Sequence, residues 1–320
     1  MPNDTDNQES FLSSLPEKNV APLWTVMSKM VPPHPNPQAA PTIWRYNEMR
    51  PYLIEAGNIV GAEEAERRVL MLVNPNMEAP YTTDTIYSGL QLILPGETAP
   101  AHRHTAFALR FIIEGEDGFT AVGGQKMKME RGDVILTPPW QWHDHGNEGT
   151  KPMIWLDGLD LPLFRNVPIN FAENYAEKRY PSSPTPESPL CIPWATVQKS
   201  FDAQTGSQHA VYHYSRSDRD KHLSDTLSAQ AERISAGHTT PTNQETCSFI
   251  YHVKEGEGST SIKAPNGNET TINWAARDTF VVPAWSEVKH SVSGAGDAYL
   301  FAVNDRPMVE SLGLFRRASG

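Results

Sequence analysis

The sequence is short of features that would each point to a particular class of protein. It has only two cysteines among 320 residues, Cys191 and Cys247. A disulfide framework is therefore excluded, and two thiols cannot on their own enclose a structural zinc ion. No run of five or six lysines and arginines occurs, and 27 basic against 38 acidic residues give a formal net charge of -11. These properties argue against a nucleic-acid partner.

Long apolar runs are missing as well. The longest, such as 134–136 and 280–282, fall far short of the ~18 residues that a membrane-spanning helix requires. The first ten residues are polar, where a secretory signal would be apolar. We therefore expect a cytoplasmic protein with no membrane partner.

Turn-forming residues, in contrast, are abundant, with 21 glycines and 27 prolines. Residues 68–161, and again 229–303, contain short apolar runs separated by glycine and proline, which predicts antiparallel β structure. The first forty residues are polar and interrupted by proline, so we expect an arm there. A helix is predicted from Ile43 with a stop at Gly57, followed by a short helix at 62–67 and a last helix at 309–317.

The two β regions look like copies of one unit. The segment ending at Gly96 resembles the segment ending at Gly237, and a glutamate-glycine pair follows each of them at the same distance. The segments 132–138 and 277–283 also match. A duplicated β domain, folded as a closed or two-sheet antiparallel barrel, explains this pattern.

Two histidine pairs lie in corresponding halves of the first β region. His102 and His104 precede an apolar run, and His143 and His145 follow the segment 132–138. Side chains two residues apart on a strand share a face. A lone histidine is more often a surface or core residue than a ligand, but two such pairs in one short β domain favour a metal site.

Arg110 lies an even number of residues from His102 and His104, so its side chain should share their face and point into the barrel. An unpaired guanidinium there is costly, so it predicts a ligand carboxylate as partner. The alternative is a structural ion pair, for which the candidates are Glu97, Glu114 and Asp157.

The motifs around these residues resemble a known family. Pro-Ala-His-Arg-His-Thr, Phe-Ile-Ile-Glu-Gly and Gly-Asp-Val-Ile-Leu-Thr-Pro-Pro-Trp-Gln-Trp-His-Asp-His are similar to motifs of the cupin superfamily, and within it to bicupin ring-cleaving dioxygenases of the gentisate 1,2-dioxygenase type. The resemblance is strong in the first β region and diffuse in the second. It implies an all-β fold of two tandem jelly-roll cupin barrels with an N-terminal helical arm. We expect an arm and helices at 1–66, a metal-binding cupin at 67–161, a proline-rich linker at 162–205 and a degenerate cupin at 206–320.

The resemblance assigns a metal site to the first barrel. His102, His104 and His143 match the three family ligands, and the glutamate that many cupins add is absent here. Imidazoles suit iron, zinc, copper and nickel alike, so the residues alone do not name the metal. The resemblance implies Fe(II). In the second barrel Asn243, Glu245 and Val288 fall at the ligand positions, so that barrel is expected to be structural, a packing or oligomerisation partner. The alternative is an unorthodox site at His238 and His290.

The resemblance also assigns a substrate pocket. The matching residues are Arg110, Gln91, Tyr87, His145, Trp155, Asp157 and one of the pair Arg67 and Arg68. Among them His145, Arg110 and Asp157 are the expected catalytic residues. His145 is a candidate proton shuttle if its pKa is near neutral. Asp157 or Tyr87 could hydrogen-bond a substituent at position 5 of the substrate.

The implied activity is an Fe(II)-dependent cleavage of a 2-hydroxybenzoate between C1 and C2 by dioxygen, with gentisate converted to maleylpyruvate. Salicylate, a substituted salicylate or 1-hydroxy-2-naphthoate could be the substrate of the same chemistry. From other classes, a non-catalytic cupin that binds small acids and a zinc- or manganese-dependent isomerase remain open. Family members suggest a homo-oligomer, a tetramer.

Overall fold

The computed structural model describes residues 4–217 and 221–318 and divides at Pro37 into two compact units. The first unit contains the helices α1 (Asp4–Ser14) and α2 (Met27–Met30), with 3₁₀ turns at Pro16–Lys18 and Leu23–Thr25 between them. The helix α1 ends before Pro16, the first proline that the structure describes. Proline lacks the N–H that a helix interior needs. None of the described helices is long and apolar enough to cross a membrane.

The second unit contains two β-barrels. The first barrel in the chain is built from two six-stranded sheets. Its strands are β2 (Val69–Met71), β3 (Tyr87–Ile93), β4 (Thr98–His104), β5 (Ala108–Glu114), β6 (Gly118–Val122), β7 (Gln125–Met129), β8 (Val134–Thr137), β9 (His143–Asn147) and β10 (Met153–Leu159), joined by β11 (Ala172–Asn174), β12 (Ser183–Pro184) and β13 (Cys191–Ile192). The strand orders are β13-β8-β5-β10-β3-β2 and β11-β4-β9-β6-β7-β12. The segment predicted as a linker thus adds an outer strand to both sheets.

The second barrel is also built from two sheets, one of six strands and one of three. Its strands are β14 (His209–His213), β15 (Ser228–Ile234), β16 (Phe249–Glu255), β17 (Glu257–Lys263), β18 (Glu269–Ala275), β19 (Thr279–Val282), β20 (Glu287–Val292) and β21 (Ala298–Asn304), and β1 (Ile43–Trp44) pairs with β19. The strand orders are β1-β19-β16-β21-β15-β14 and β18-β17-β20. The helices of this unit are α3 (Tyr46–Ile59), α4 (Ala62–Ala65), α5 (Leu163–Asn166), α6 (Trp194–Ala203) and α7 (Arg306–Ser311). The predicted all-β architecture of two tandem barrels is confirmed.

Several predicted helix ends are wrong. The helix predicted from Ile43 begins at Tyr46, since Ile43–Trp44 forms β1, and the short helix ends at Ala65 instead of Arg67. The helix α3 continues through Gly57, where a Cβ atom would meet Leu92 at 2.9 Å, so this glycine permits the helix to lie close to β3. The last helix begins at Arg306 and ends at Ser311. Arg317 lies beyond it and forms an isolated bridge with Glu245.

Sequence patterns missed the polar strands. The strands β4 and β9 carry the histidines, and β7, β18 and β20 alternate polar with apolar residues instead of forming apolar runs. The outer face of the sheet β18-β17-β20 is largely exposed, which explains the alternation in β18 and β20.

The two barrels pack against each other through strands from the middle of their sheets. Along β5, Arg110 faces the interior of the first barrel, whereas Phe111 faces the second barrel and stacks on Phe301 at 4.3 Å between ring centroids. Gly158 lets Val303 approach, since a Cβ atom there would lie 3.2 Å from a valine methyl group. One hydrophobic core therefore spans the first barrel and the face of the second barrel that packs against it, and the interior of the second barrel forms a separate core.

A reciprocal pair of hydrogen bonds joins the same faces. Asp160, after β10, accepts a hydrogen bond from Thr226 of the second barrel at 2.6 Å. Asp305, after β21, accepts one from Thr85 of the first barrel at 2.5 Å. Each aspartate also accepts a backbone N–H of its own barrel. The duplicated strands thus exchange equivalent contacts across the interface.

These two aspartates predict a pH dependence of stability. Burial raises the pKa of both Asp160 and Asp305 to about 6. The folded protein then binds more protons than the unfolded chain between about pH 4 and 6, so the free energy of unfolding should fall as pH rises through this range. Each pKa unit corresponds to about 1.4 kcal/mol. Urea unfolding of the Asp160→Asn, Asp305→Asn double variant should show a clearly flatter pH dependence.

The control is Asp202→Asn, at an exposed aspartate of α6, which should keep the wild-type slope. Equal slopes for the double variant and the wild type would show that these carboxyls do not carry the dependence.

Candidate metal centre and its cavity

Three histidines from two neighbouring strands meet inside the first barrel. His102 and His104 lie on β4, and His143 on β9 pairs directly with His102 in the register of the sheet. One ring nitrogen from each of the three lies within 4.8 Å of the others. The structure therefore brings together the three predicted ligands.

Backbone carbonyls fix the orientation of all three rings. Each Nδ1 lies at hydrogen-bond distance from a carbonyl oxygen two residues away in the chain. The carbonyls are those of Pro100, Ala106 and Gln141, at 3.1, 2.9 and 2.9 Å. Because a carbonyl only accepts, we assign the proton to Nδ1, which leaves the lone pair of each Nε2 free to bind a metal.

Burial keeps the three imidazoles in their neutral, ligating form. It lowers the pKa of His102 to about 2, where Arg67 adds to the effect, and that of His104 to about 4. The pKa of the fully buried His143 is also well below its ordinary value. Neutral imidazole is the form that a metal ion needs.

The donor set fits a metal ion. Nε2 of His143 is buried and has no hydrogen-bond partner. Nε2 of His102 accepts a hydrogen bond from Nε of Arg67 at 2.9 Å, so a guanidinium cation lies against one of the lone pairs that would face the metal. Three convergent imidazoles form a facial site that leaves coordination positions open.

The histidines open into a cavity of about 300 Å³. Six further residues predicted for the pocket line it, namely Arg67, Tyr87, Gln91, Arg110, His145 and Asp157. The structure also settles which arginine of the 67–68 pair faces the cavity. Arg67, in the bend before β2, lines the cavity together with Val69, whereas Arg68 does not.

Neither Arg68 nor Trp155 lines the cavity, and for Trp155 this corrects the sequence expectation. Arg68 faces the opposite side of the strand and binds Glu97 through two hydrogen bonds of 2.8 Å. Trp155 is fully buried behind the wall, where its Nε1 donates to Asp157 at 2.9 Å. It also packs beside the ring of His145. Trp155 thus supports two lining residues without reaching the cavity.

Arg110 has a protein partner inside the barrel. Its Nε lies 3.5 Å from Oδ1 of Asp157, and Nη1 donates to Thr137 at 2.6 Å. Burial lowers the pKa of Arg110 and raises that of Asp157 to about 6, so desolvation outweighs the mutual attraction of the pair. Of the ion-pair candidates considered from sequence, Asp157 is the one that the structure selects.

His145 differs from the expectation of a near-neutral pKa. Its Nδ1 lies 2.9 Å from the hydroxyl of Thr120. Burial, with Arg110 as the next cause, lowers its pKa well below the ordinary value. The ring is therefore neutral at physiological pH.

Sequence reasoning missed the residues that cover the cavity. They are Val69, Leu159, Leu161, Asn170, Phe171 and Ala172. The last three lie at or just before β11, which pairs with β4 so that Ala172 is opposite His104. Asn170 accepts a hydrogen bond from Thr105 at 2.5 Å. The proline-rich composition of the segment hid this short strand.

Comparisons with known proteins agree with this geometry. A family model for the cupin domain matches residues 89–159. The solved structure of salicylate 1,2-dioxygenase from Pseudoaminobacter salicylatoxidans, an adduct with gentisate, is similar with a TM-score of 0.89 and 28% identity, covering 99% of this chain and 95% of that one. Gentisate 1,2 dioxygenase 1 of Aquipseudomonas alcaligenes is 36% identical over 98% of this chain and 97% of its own length. The chain belongs to the gentisate 1,2-dioxygenase family of bicupins.

Another similar protein is named for a different substrate. A 5-aminosalicylate 1,2-dioxygenase of Comamonas sp is 33% identical and covers 98% of this chain and 92% of its own. Membership in this bicupin family confirms the predicted enzyme class, a ring-cleaving 1,2-dioxygenase of the gentisate and salicylate type.

The triad predicts the outcome of a metal-binding experiment. We expect His143→Ala to lower metal affinity by at least about 100-fold, because one of three ligands is lost. Metal content after anaerobic loading and desalting measures this. The matched control is His145→Gln, two residues along the same strand face and outside the triad, which should retain metal. Equal metal content in the two variants would refute the ligand assignment.

Proposed function

We propose that this bicupin is an Fe(II)-dependent dioxygenase that binds a 2-hydroxybenzoate through its carboxylate and ortho hydroxyl and cleaves the ring between C1 and C2. The substrate that we favour is gentisate, which would give maleylpyruvate. Dioxygen is the second substrate.

One observation carries the proposal. Seven buried side-chain polar atoms in the described part of the chain have no hydrogen-bond partner, and three of them belong to residues that line this cavity. They are Nε2 of His143, Nε of Arg110 and Nε2 of Gln91. Buried polar groups are normally paired, so a cavity with one free ligand atom and two free donors is built for a metal ion and an anionic substrate.

His102, His104 and His143 would hold the iron, which when bound supplies open positions for substrate and dioxygen and a path for electrons from the aromatic ring to dioxygen. The remaining steps depend on residues of the chain.

Arg110 binds the substrate carboxylate in this proposal. Its Nε–H lies too far from Asp157 for a normal hydrogen bond, so this donor is free to bind a carboxylate in the cavity. Asp157 and Thr137 hold the guanidinium in place meanwhile. Charge-assisted hydrogen bonds of this kind are stronger than neutral ones, so Arg110 orients the acid group of the substrate.

Arg67 provides a second cation. Its present hydrogen bond to Nε2 of His102 must break when that nitrogen binds the metal, because one lone pair cannot serve both. The released guanidinium would remain at the cavity wall, where it can neutralise charge on the substrate.

Tyr87 and Gln91 provide neutral donors on the wall formed by β3. Burial raises the pKa of Tyr87, so its hydroxyl stays protonated. Gly89 lies between them in sequence, and a Cβ atom there would come within 2.9 Å of the Tyr87 hydroxyl. We assign this hydroxyl to the 5-hydroxyl group of gentisate, with Asp157 as the alternative partner.

The neutral ring of His145 is fixed through Nδ1 by Thr120 and serves as a hydrogen-bond partner in the cavity. Because burial holds its pKa well below the ordinary value, it is a poor proton shuttle. Phe171, Leu159 and Leu161 help to exclude water from the reacting groups.

The size of the cavity favours a single-ring substrate. About 300 Å³ is at the lower end of the range of ligand pockets. A monocyclic acid is therefore expected to fit better than 1-hydroxy-2-naphthoate.

A substrate panel tests the proposal. Oxygen uptake by the iron-loaded protein should be fastest with gentisate and slowest with 1-hydroxy-2-naphthoate, with salicylate and 5-aminosalicylate between them. Ring-opened product should appear in the ultraviolet spectrum with the same stoichiometry as oxygen loss. Absence of uptake with every hydroxybenzoate would favour the non-catalytic binding protein instead.

The role of Tyr87 can be tested separately. Tyr87→Phe should lower kcat/KM for gentisate up to about tenfold, the value of one neutral hydrogen bond, and leave salicylate unaffected because salicylate has no 5-hydroxyl group. Tyr81→Phe, at a half-buried tyrosine outside the cavity, is the control. An equal loss for both substrates in Tyr87→Phe would assign the tyrosine a different role.

A further inference from the structure

The second barrel encloses a cavity of about 330 Å³, similar in size to the catalytic cavity. It occupies the corresponding place in the fold. Asn243 bridges to Val288 in the sheet as His102 pairs with His143. Two of the three ligand positions, those of Asn243 and Val288, therefore line this cavity with other side chains, and no metal-binding group of three occurs there among the described residues.

At equivalent positions of the wall, one polar residue is replaced and one polar pair is kept. Val211 pairs with Glu232 as Val69 pairs with Gln91. His290 pairs with Thr260 across the sheet, as His145 pairs with Thr120. The cavity is thus a second pocket of the same origin with a different set of donors and charges.

Glu232 is already satisfied and needs no cation. It accepts hydrogen bonds from His209 at 2.7 Å, Gln230 at 2.8 Å and Tyr251 at 3.3 Å. Burial alone would raise the pKa of Glu232. The hydrogen bond from His209 and the charges around the carboxylate outweigh burial and lower this pKa to about 2. The carboxylate is therefore a fixed part of the wall.

Two arginines share one carboxylate at the other end of the cavity. Arg306 and Arg317 donate to different oxygens of the buried Glu245, at 2.5 and 2.8 Å. A guanidinium has five N–H donors, and each of these arginines uses one on Glu245. The cluster carries an excess positive charge and spare donors at the cavity.

His290 adds a donor from the wall. The hydroxyl of Thr260 accepts a hydrogen bond from the indole of Trp274 at 2.8 Å and lies 2.8 Å from Nδ1 of His290. We assign the hydroxyl proton to this Nδ1, which places the ring proton on Nε2. His290 is only 3% exposed and lines the cavity, and none of the hydrogen bonds of the described residues uses its Nε2.

We propose that the second barrel binds a small organic acid, with the ligand carboxylate at Arg306 and Arg317 and the hydrocarbon body against Val211 and Val288. The excess of donors over free acceptors requires a ligand that brings oxygen atoms, and the valines require an apolar body. This proposal does not depend on the reaction in the first barrel.

A pair of variants at Val211 tests the cavity with benzoate as the probe. Val211→Phe fills the space and Val211→Ala enlarges it, and neither removes a polar contact. Equilibrium dialysis of the full-length protein with radiolabelled benzoate should show one bound equivalent fewer for Val211→Phe than for Val211→Ala and the wild type. Equal binding by the two variants would overturn the proposal.

The equivalent change in the first barrel serves as the control experiment. Val69→Phe fills the catalytic cavity and should abolish turnover, but the benzoate equivalent lost in Val211→Phe should remain. Loss of that equivalent in Val69→Phe would mean that all the binding belongs to the first barrel.

The charge of the ligand is tested at Arg317, whose side chain is 55% exposed. Arg317→Gln leaves Arg306 with Glu245 and should weaken benzoate binding about tenfold, the effect of one charged hydrogen bond, without changing the binding of uncharged benzamide. Arg316→Gln, at the exposed neighbour outside the cavity, should bind both probes like the wild type. Equal affinity for benzoate in the two variants would show that no carboxylate binds at the arginines.

Discussion

The site depends on three hydrogen bonds between histidine Nδ1 atoms and backbone carbonyls. Each bond fixes one ring and leaves its Nε2 lone pair directed at a common point. The carbonyls belong to the strands or turns that carry the histidines, so the backbone itself sets the geometry of the donors. The buried cation Arg110, its partner Asp157 and the free amide of Gln91 then surround a point that is already defined.

Much of this site could be predicted from the sequence. The spacing of the histidine pairs and the parity of Arg110 depend only on the alternation of side chains along a strand, which is local. The choice between Arg67 and Arg68 could not be made, because it depends on where β2 begins relative to β3. Trp155 shares the parity of Asp157, but its size and the packing around it keep its indole behind the wall.

The polar strands and the cover of the cavity show a second limit. The strands β4 and β9 lack apolar runs because their inward side chains are the metal ligands themselves. Phe171 and Asn170 reach the cavity only because β11 pairs with β4, a contact between segments far apart in the sequence. Hydrophobic periodicity reports which residues are buried in a core, and neither of these features belongs to one.

The interface between the barrels has a consequence for how the two halves can change. Thr226 and Thr85 each donate a hydrogen bond to an aspartate in the opposite half. The ring of Phe111 is shielded from water by the stacked ring of Phe301. An isolated catalytic half would expose that ring and leave Asp160 without its hydroxyl donor. The face of the second barrel that packs against the first is thus under structural constraint, whereas its interior, which holds no metal-binding group of three among the described residues, can acquire new recognition chemistry at little cost to the neighbouring cavity.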